Sequence, residues 1–274
     1  MDRYAVAGNP VAHSKSPEIH ARFAAETGQA LEYGRLLVPL DAFEATIRQF
    51  AAGGARGCNV TVPFKFEAFR LARNASTRAG LAEAANVLRF DDEGWFADNT
   101  DGIGLVRDVQ QAGVDLAGRR VLLLGAGGGA AGVLGPLIEA RPTLVAVANR
   151  TAARAHELVT RHSAWAAEHQ VELRVVDLGL PGTGYDLVIN ATASSLQGSA
   201  VPVPGAVLAR GAMAYDLMYG PPAQSFLAWA AEHGACGRDG LGMLVEQAAE
   251  AFWVWRGVRP ATAPVLAALR AQLG

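Results

Sequence analysis

Val121-Leu122-Leu123-Leu124-Gly125-Ala126-Gly127-Gly128-Gly129-Ala130 sets the architecture of the second half of the chain. Four consecutive apolar residues without alternation read as a strand buried on both faces, the kind found in parallel sheets. The glycines that follow fit G-x-G-x-x-G/A, and an apolar helical pattern continues to about Ala140. Strand, glycine turn and helix in that order are what a dinucleotide-binding fingerprint requires. The glycines let backbone approach a pyrophosphate at the helix N-terminus. Gly125, Ala126, Gly127, Gly128 and Gly129 are therefore the first candidate cofactor residues.

The next strand, Thr143 to Ala148, ends in Asn149-Arg150-Thr151. An acidic residue here would bond the ribose 2′-hydroxyl of NAD. Instead an arginine stands there, with Arg154 one helical turn on, and two guanidiniums with a hydroxyl suit the 2′-phosphate of NADP. A solvated helix start is the bland alternative. Further strands are expected at Val171 to Val176, Asp186 to Ile189 and Ala212 to Asp216. Asn190-Ala191-Thr192 lies at a strand's carboxyl edge, where ligands bind in such sheets, so Asn190 and Thr192 join the candidates. The expected class is α/β with two domains.

In the N-terminal half, Asn59-Val60-Thr61-Val62-Pro63-Phe64-Lys65 reads as a strand stopped by proline. Val60 and Val62 alternate with Asn59 and Thr61, so one face is apolar and the other carries an amide and a hydroxyl. Pro63 fits the first turn of a following helix. Lys65 then sits near a helix N-terminus, where the positive dipole end disfavours an ammonium and makes the lysine readier to release a proton. Of 24 Lys+Arg residues only Lys15 and Lys65 are lysine. Arginine does not give up its proton, so a lysine kept at this strand end points to proton transfer. Asparagine follows a similar rule. Of Asn9, Asn59, Asn74, Asn86, Asn99, Asn149 and Asn190, all but Asn74 fall at an expected strand end or in the turn after one.

Arg3 to Ala7 is a first strand, followed by His13-Ser14-Lys15-Ser16-Pro17 and a helix from about Glu18 to Thr27. Ser14 and Ser16 before a helix N-terminus suit a carboxylate or phosphate. Ser16 can also cap the helix, whereas Ser14 has no capping duty. A strand at Tyr33 to Val38, a helix at Asp41 to Phe50 and helical patterns from Phe66 to about Ala84 come next. A hairpin from Asn86 to Ala97 turns at Asp92-Glu93-Gly94. It ends in Asp98-Asn99-Thr100-Asp101-Gly102, where Asp101 either caps a helix or pairs with Lys65. The last long helix starts at Gly240-Leu241-Gly242-Met243, with Gln247 beside its apolar face.

A length of 274 residues suits two domains, and 51% hydrophobic residues supply a large interior. A net charge of -2 gives no reason to expect nucleic acid or an anionic membrane as partner. Cys58 and Cys236 make neither a disulfide framework nor a metal site. No signal pattern and no membrane-length apolar run is seen, so a cytoplasmic enzyme is the default, as a monomer or homodimer.

Taken together, these motifs resemble the shikimate dehydrogenase family. The resemblance rests on Gly8-Asn9-Pro10 with Ser14-Lys15-Ser16-Pro17, the Asn59–Lys65 stretch, Ala85-Asn86, Asn99-Thr100-Asp101-Gly102, and Gly125-Ala126-Gly127-Gly128. Asn149-Arg150-Thr151, Asn190-Ala191-Thr192, and Gly240-Leu241-Gly242-Met243 with Gln247 complete it. It departs at Gly129-Ala130-Ala131, where members often carry Ala-Ser-Arg. The resemblance implies an N-terminal α/β substrate domain over residues 1–101, a C-terminal Rossmann-type doubly wound NADP domain over 102–238, and C-terminal helices over 239–274 that return to the first. It implies reversible NADPH-dependent reduction of 3-dehydroshikimate to shikimate, on the route to chorismate and the aromatic amino acids. It implies that Ser14 and Ser16 bind the substrate carboxylate, and that Asn59, Thr61, Asn86, Tyr215 and Gln247 hold ring hydroxyls or line the site. Lys65 and Asp101 would be the catalytic pair. Asn149, Arg150, Thr151 and Arg154 would bind the adenosine phosphate end, with Met213 and Gly240 beside the nicotinamide. The alternatives are a quinate/shikimate dehydrogenase of broader cofactor and substrate use, and a non-catalytic metabolite sensor, which would need neither Lys65 nor Asp101.

Overall fold

The computed structural model describes residues 1–192 and 202–273. The chain forms two compact units: residues 1–104 with 244–274, and residues 105–243.

Among the described residues the first unit has one mixed six-stranded sheet. Its strands are β1 (Asp2–Gly8), β2 (Leu31–Leu37), β3 (Ala55–Val60), β4 (Asn74–Ala75), β5 (Val87–Arg89) and β6 (Phe96–Asp98), in the spatial order β2-β1-β3-β5-β6-β4. β1 pairs in parallel with β2 and β3, and the β5–β6 hairpin joins β3 antiparallel. The helices of its N-terminal part are α1 (Ser16–Thr27), α2 (Phe43–Ala52), α3 (Lys65–Leu71) and α4 (Thr77–Ala82). Ala7, Val38, Phe43, Ile47, Cys58, Phe64 and Leu88 form a core in this unit, and Phe43 stacks on Phe64 at 4.8 Å.

α5 (Asp101–Gln111) carries the chain into the second unit. There β7 (Arg120–Leu124), β8 (Leu144–Ala148), β9 (Glu172–Val175), β10 (Tyr185–Asn190), β11 (Leu208–Asp216) and β12 (Cys236–Arg238) pair in parallel, in the order β12-β11-β10-β7-β8-β9. The central strands are almost wholly apolar and buried, as a parallel sheet covered on both faces demands. Its helices are α6 (Gly128–Glu139), α7 (Ala152–Glu168) and α8 (Gln224–Glu232). α9 (Leu241–Arg256) returns the chain to the first unit, where α10 (Ala263–Leu273) ends it. Phe252 of α9 meets Phe23 of α1 edge to face at 5.9 Å, and Trp255 donates to the Leu88 carbonyl at 3.0 Å.

Two local expectations are corrected. β3 stops at Val60, not at Pro63, and Val62 is 58% exposed while Val60 is buried. Thr61 to Phe64 form a turn, closed by the Phe64 amide on the Thr61 carbonyl, so Pro63 precedes α3 and does not open it. The helical patterns expected from Phe66 to about Ala84 form two helices, α3 and α4, with β4 between them. The Arg73 and Asn74 amides bond the Trp95 carbonyl, which draws the chain into β4 beside β6, and Ser76 then caps α4 through the Ala79 amide at 3.2 Å.

Candidate active site

The first unit builds its site from side chains delivered by β3, α3, β5, the turn after β6, and α9. Backbone pairing sets their positions. The Val60 amide bonds the Asn86 carbonyl (2.8 Å), the Asn86 amide bonds the Asp98 carbonyl (3.0 Å), and the Ala85 amide bonds the Lys65 carbonyl (2.8 Å). Asn86 is thus tied to the chain around Asn59, Lys65 and Asp101 before its side chain acts.

Lys65 is the first residue of α3, and its Nζ lies 2.5 Å from Asp101 Oδ2. The side chains are 17% and 8% exposed, so the charges meet largely out of water. Removing one partner of such a buried pair strands the other, at a cost of about 3–5 kcal/mol. Asp101 is the first residue of α5, where the helix dipole favours a carboxylate. It does not cap that helix. Asn99 Oδ1 accepts from the Asp101 amide at 3.2 Å, which leaves both Asp101 oxygens for side-chain partners.

Asn86 Nδ2 lies 2.8 Å from Asp101 Oδ1, 3.0 Å from Thr100 Oγ1 and 3.1 Å from Gln247 Oε1. Its Oδ1 accepts from the Thr100 amide at 2.8 Å. Asn59 is held from both ends: Tyr33 Oη donates to its Oδ1 at 2.6 Å, and its Nδ2 donates to the Asn86 carbonyl at 3.1 Å. Tyr33 stacks on His20 with ring centroids 4.2 Å apart. His20 is fully buried, and burial drives its pKa down to about 3. The structure therefore joins Asn59, Lys65, Asn86, Asp101 and Gln247 into one hydrogen-bonded set. Sequence reasoning missed Tyr33 and Thr100. Thr100 stands inside a motif already quoted, but Tyr33 carries no local signal.

Ser14 and Ser16 form a second small group. Ser14 Oγ donates to Ser16 Oγ at 3.2 Å and accepts from the Ser16 amide at 3.3 Å. Ser16 is the first residue of α1, and Lys15, in the capping position, makes no side-chain cap. The capping duty expected of Ser16 thus falls, weakly, to Ser14. Thr61 follows β3, and its amide bonds the Ala7 carbonyl at 2.9 Å.

The second unit builds with backbone. β7 ends at Gly125, whose φ is +112°, and a Cβ there would stand 2.9 Å from the Ala191 carbonyl oxygen. Only glycine tolerates both conditions. α6 opens at Gly128 after the cap residue Gly127, with no side-chain cap and no acidic residue in its first turn. Its leading amides are thus available to an anion, as a dinucleotide pyrophosphate requires. Arg150, Thr151 and Arg154 are exposed at the start of α7, and Asn149 Nδ2 donates to the Thr151 carbonyl at 2.9 Å. These residues fit a 2′-phosphorylated dinucleotide. Asn190 Nδ2 donates to Asp216 Oδ2 at 3.0 Å, and its Oδ1 accepts from Thr192 Oγ1 at 2.7 Å. Met213 is buried in β11, and the Gly240 amide bonds the Met218 carbonyl at 2.9 Å.

Tyr215 is fully buried, and its hydroxyl donates to Asp108 Oδ2 at 2.7 Å. Arg238 clamps the same carboxylate, with Nε at 2.8 Å and Nη2 at 2.5 Å. Burial and the neighbouring carboxylate hold the Tyr215 hydroxyl protonated far above its ordinary range. A Cβ on Gly242 would collide with Asp108 Oδ1, which explains the glycine at that place in Gly240-Leu241-Gly242-Met243. Among the described residues no group of three or more His, Cys, Asp or Glu could hold a metal ion, and no helix is long and apolar enough to cross a membrane.

Comparison with known proteins identifies the family. Residues 6–88 match the shikimate dehydrogenase substrate binding domain, 107–197 match shikimate / quinate 5-dehydrogenase, and 240–270 match the shikimate 5′-dehydrogenase C-terminal domain. A shikimate dehydrogenase (NADP(+)) of Methylibium petroleiphilum is 64% identical over 279 residues, covering 99% of this chain and 95% of its own. The crystal structure of an Ael1 enzyme from Pseudomonas putida superposes with a TM-score of 0.89 at 47% identity, covering 100% and 98% of the two chains. Shikimate 5-dehydrogenase from Thermus thermophilus, solved with NADP(H) and shikimate, gives 0.88 at 33% identity, covering 100% of each chain. The chain belongs to the shikimate dehydrogenase family.

Proposed function

We propose that this chain catalyses the reversible NADPH-dependent reduction of 3-dehydroshikimate to shikimate, with Lys65 as proton carrier and Asp101 as its partner. Membership of the family makes it an NADP-dependent oxidoreductase of the shikimate pathway. The observation that carries the finer reading is the 2.5 Å contact of Lys65 with Asp101, buried and held by Asn86. NADPH supplies the hydride. When a ring carbonyl becomes an alcohol, its oxygen must gain a proton. The Lys65 ammonium gives that proton, and in oxidation the neutral amine takes it back. Such general acid-base help is typically worth ~10²–10⁴-fold. Asp101 keeps Lys65 in one place, and Asn86 keeps Asp101 in one place, so little reorganisation accompanies the transfer.

Ser14 and Ser16, adjacent hydroxyls at the start of α1, suit the substrate carboxylate. Asn59, Thr61, Asn86, Tyr215 and Gln247 serve the ring hydroxyls or line the site. Asn86 and Tyr215 already spend hydrogen-bonding capacity on Asp101 and Asp108, so their part is as much to position as to bind. The Gly125–Gly129 turn takes the pyrophosphate. Asn149, Arg150, Thr151 and Arg154 take the adenosine phosphate end, and Asn190, Thr192, Met213 and Gly240 serve the nicotinamide end.

The test is NADPH oxidation by purified protein with 3-dehydroshikimate, followed at the nicotinamide absorbance. Rapid turnover that collapses with NADH is expected. No turnover, with either ligand still bound, would leave only a metabolite sensor.

A further inference from the structure

The first unit also holds a buried ion network with no part in the chemistry above. Arg78 stands in the first turn of α4, where the helix dipole disfavours a cation. Two carboxylates offset that cost. Arg78 grips Asp98 with a fork, Nε to Oδ1 at 2.8 Å and Nη2 to Oδ2 at 2.6 Å. The same Nη2 reaches Glu250 Oε1 at 3.1 Å. Arg78 is 19% exposed, Asp98 4% and Glu250 8%. Asp98 is further tied by Ser76 Oγ at 2.5 Å and by the Asn99 amide at 2.7 Å.

The places of these carboxylates in the chain give the network its meaning. Asp98 begins the turn Asp98-Asn99-Thr100-Asp101, and Glu250 follows Gln247 by one turn of α9. Gln247 and Asp101 already share Asn86 Nδ2. A closed circuit results: Arg78 to Asp98, along the turn to Asp101, across Asn86 to Gln247, along α9 to Glu250, and back to Arg78.

We infer that Arg78 is a positioning residue for the Lys65–Asp101 pair, fixing the turn that carries Asp101 against the helix that carries Gln247. The inference rests on the acid-base reading of that pair. A fork is needed because one guanidinium must hold two carboxylates at fixed angles, which the point charge of a lysine does not do. Small misplacement of a reacting group costs ~10²-fold in rate.

The experiment compares Arg78→Met, Arg78→Lys and Glu250→Gln with the parent in kcat, KM for both substrates, and Tm. Lys65→Ala is measured alongside. At a temperature where every variant is folded, kcat of Arg78→Met should fall ~10²-fold with KM for NADPH within about twofold. Arg78→Lys should recover part of that loss, and Glu250→Gln should show a smaller fall in the same direction. A folded Arg78→Met with kcat within about twofold of the parent and only a lower Tm would make Arg78 a structural strut and overturn the inference. If Arg78→Met does not fold, Arg78→Lys and Glu250→Gln decide by the same criterion. Should Lys65→Ala keep its kcat, the acid-base reading and the inference fall together. Should Lys65→Ala lose kcat while the Arg78 and Glu250 variants keep it, only the inference falls.

Discussion

The two units build their candidate sites from different materials. The first uses side chains brought together from distant segments, buried or half-buried and each holding the next: Tyr33 to Asn59, Asn59 to the Asn86 backbone, Asn86 to Asp101, Asp101 to Lys65. The second uses backbone exposed by the lack of side chains, at Gly125 to Gly129 ahead of α6. A side-chain network fails by deletion of a functional group. A glycine turn fails by addition of a carbon. The first arrangement suits the positioning of a proton by directional contacts, and the second suits a large anion through partial charges.

The most severe break in the first material is Lys65→Ala. We expect kcat to fall ~10²–10⁴-fold with little change in KM. A large KM rise with kcat intact would make Lys65 a binding residue only. The matching break in the second is Gly125→Ala, which adds a carbon at φ +112° and 2.9 Å from the Ala191 oxygen. About 1–3 kcal/mol of strain should appear as a lower Tm and weaker NADPH binding, with shikimate binding unchanged. An unchanged NADPH Kd, by titration, would mean that the turn does not touch the cofactor.

A pH experiment sharpens the contrast, because it acts on a buried group of the first unit. His20 has a folded pKa of about 3 against ~6.5 when unfolded. Its neutral form is fully stabilising above pH ~6.5, and that contribution is lost as pH falls from there toward 3, because the unfolded chain takes up the proton first. Between pH ~7 and ~5 the loss is about 2 kcal/mol. In His20→Phe the urea unfolding free energy should drop less over that range by a similar amount. An identical pH slope in both proteins would remove His20 from the acid response. The smallest effect falls on the surface of the second unit. Arg150→Ala should lower the NADPH over NADH preference by about tenfold, the loss of one charge-assisted contact. A preference left unchanged in steady-state kinetics would assign the 2′-phosphate elsewhere.

The same contrast explains what was legible in the sequence. The glycine turn is contiguous, so its strand, turn and helix stand in one reading frame, and β7, α6 and β8 fall where the pattern places them. Lys65 was legible for another reason, as one of two lysines in an arginine-rich chain. The network around it was not. Tyr33 and Asn59 are 26 residues apart, and Asp108 and Arg238 are 130 apart, so no local spacing announces either pair. The short strand β4 between α3 and α4 was hidden for the same reason, since it exists only because β6 lies beside it. The valine alternation was overridden in a similar way: the turn before α3 leaves Val62 exposed.

The central claim is that Lys65 and Asp101 act as one unit, and a double-mutant cycle in kcat tests it most directly. Lys65→Ala, Asp101→Asn and the double variant are measured with 3-dehydroshikimate and NADPH. Groups that work as a unit are strongly non-additive, so the double variant should be no slower than the slower single variant, within a few-fold. A double variant whose loss equals the product of the two single losses would contradict the account, because the two residues would then act independently.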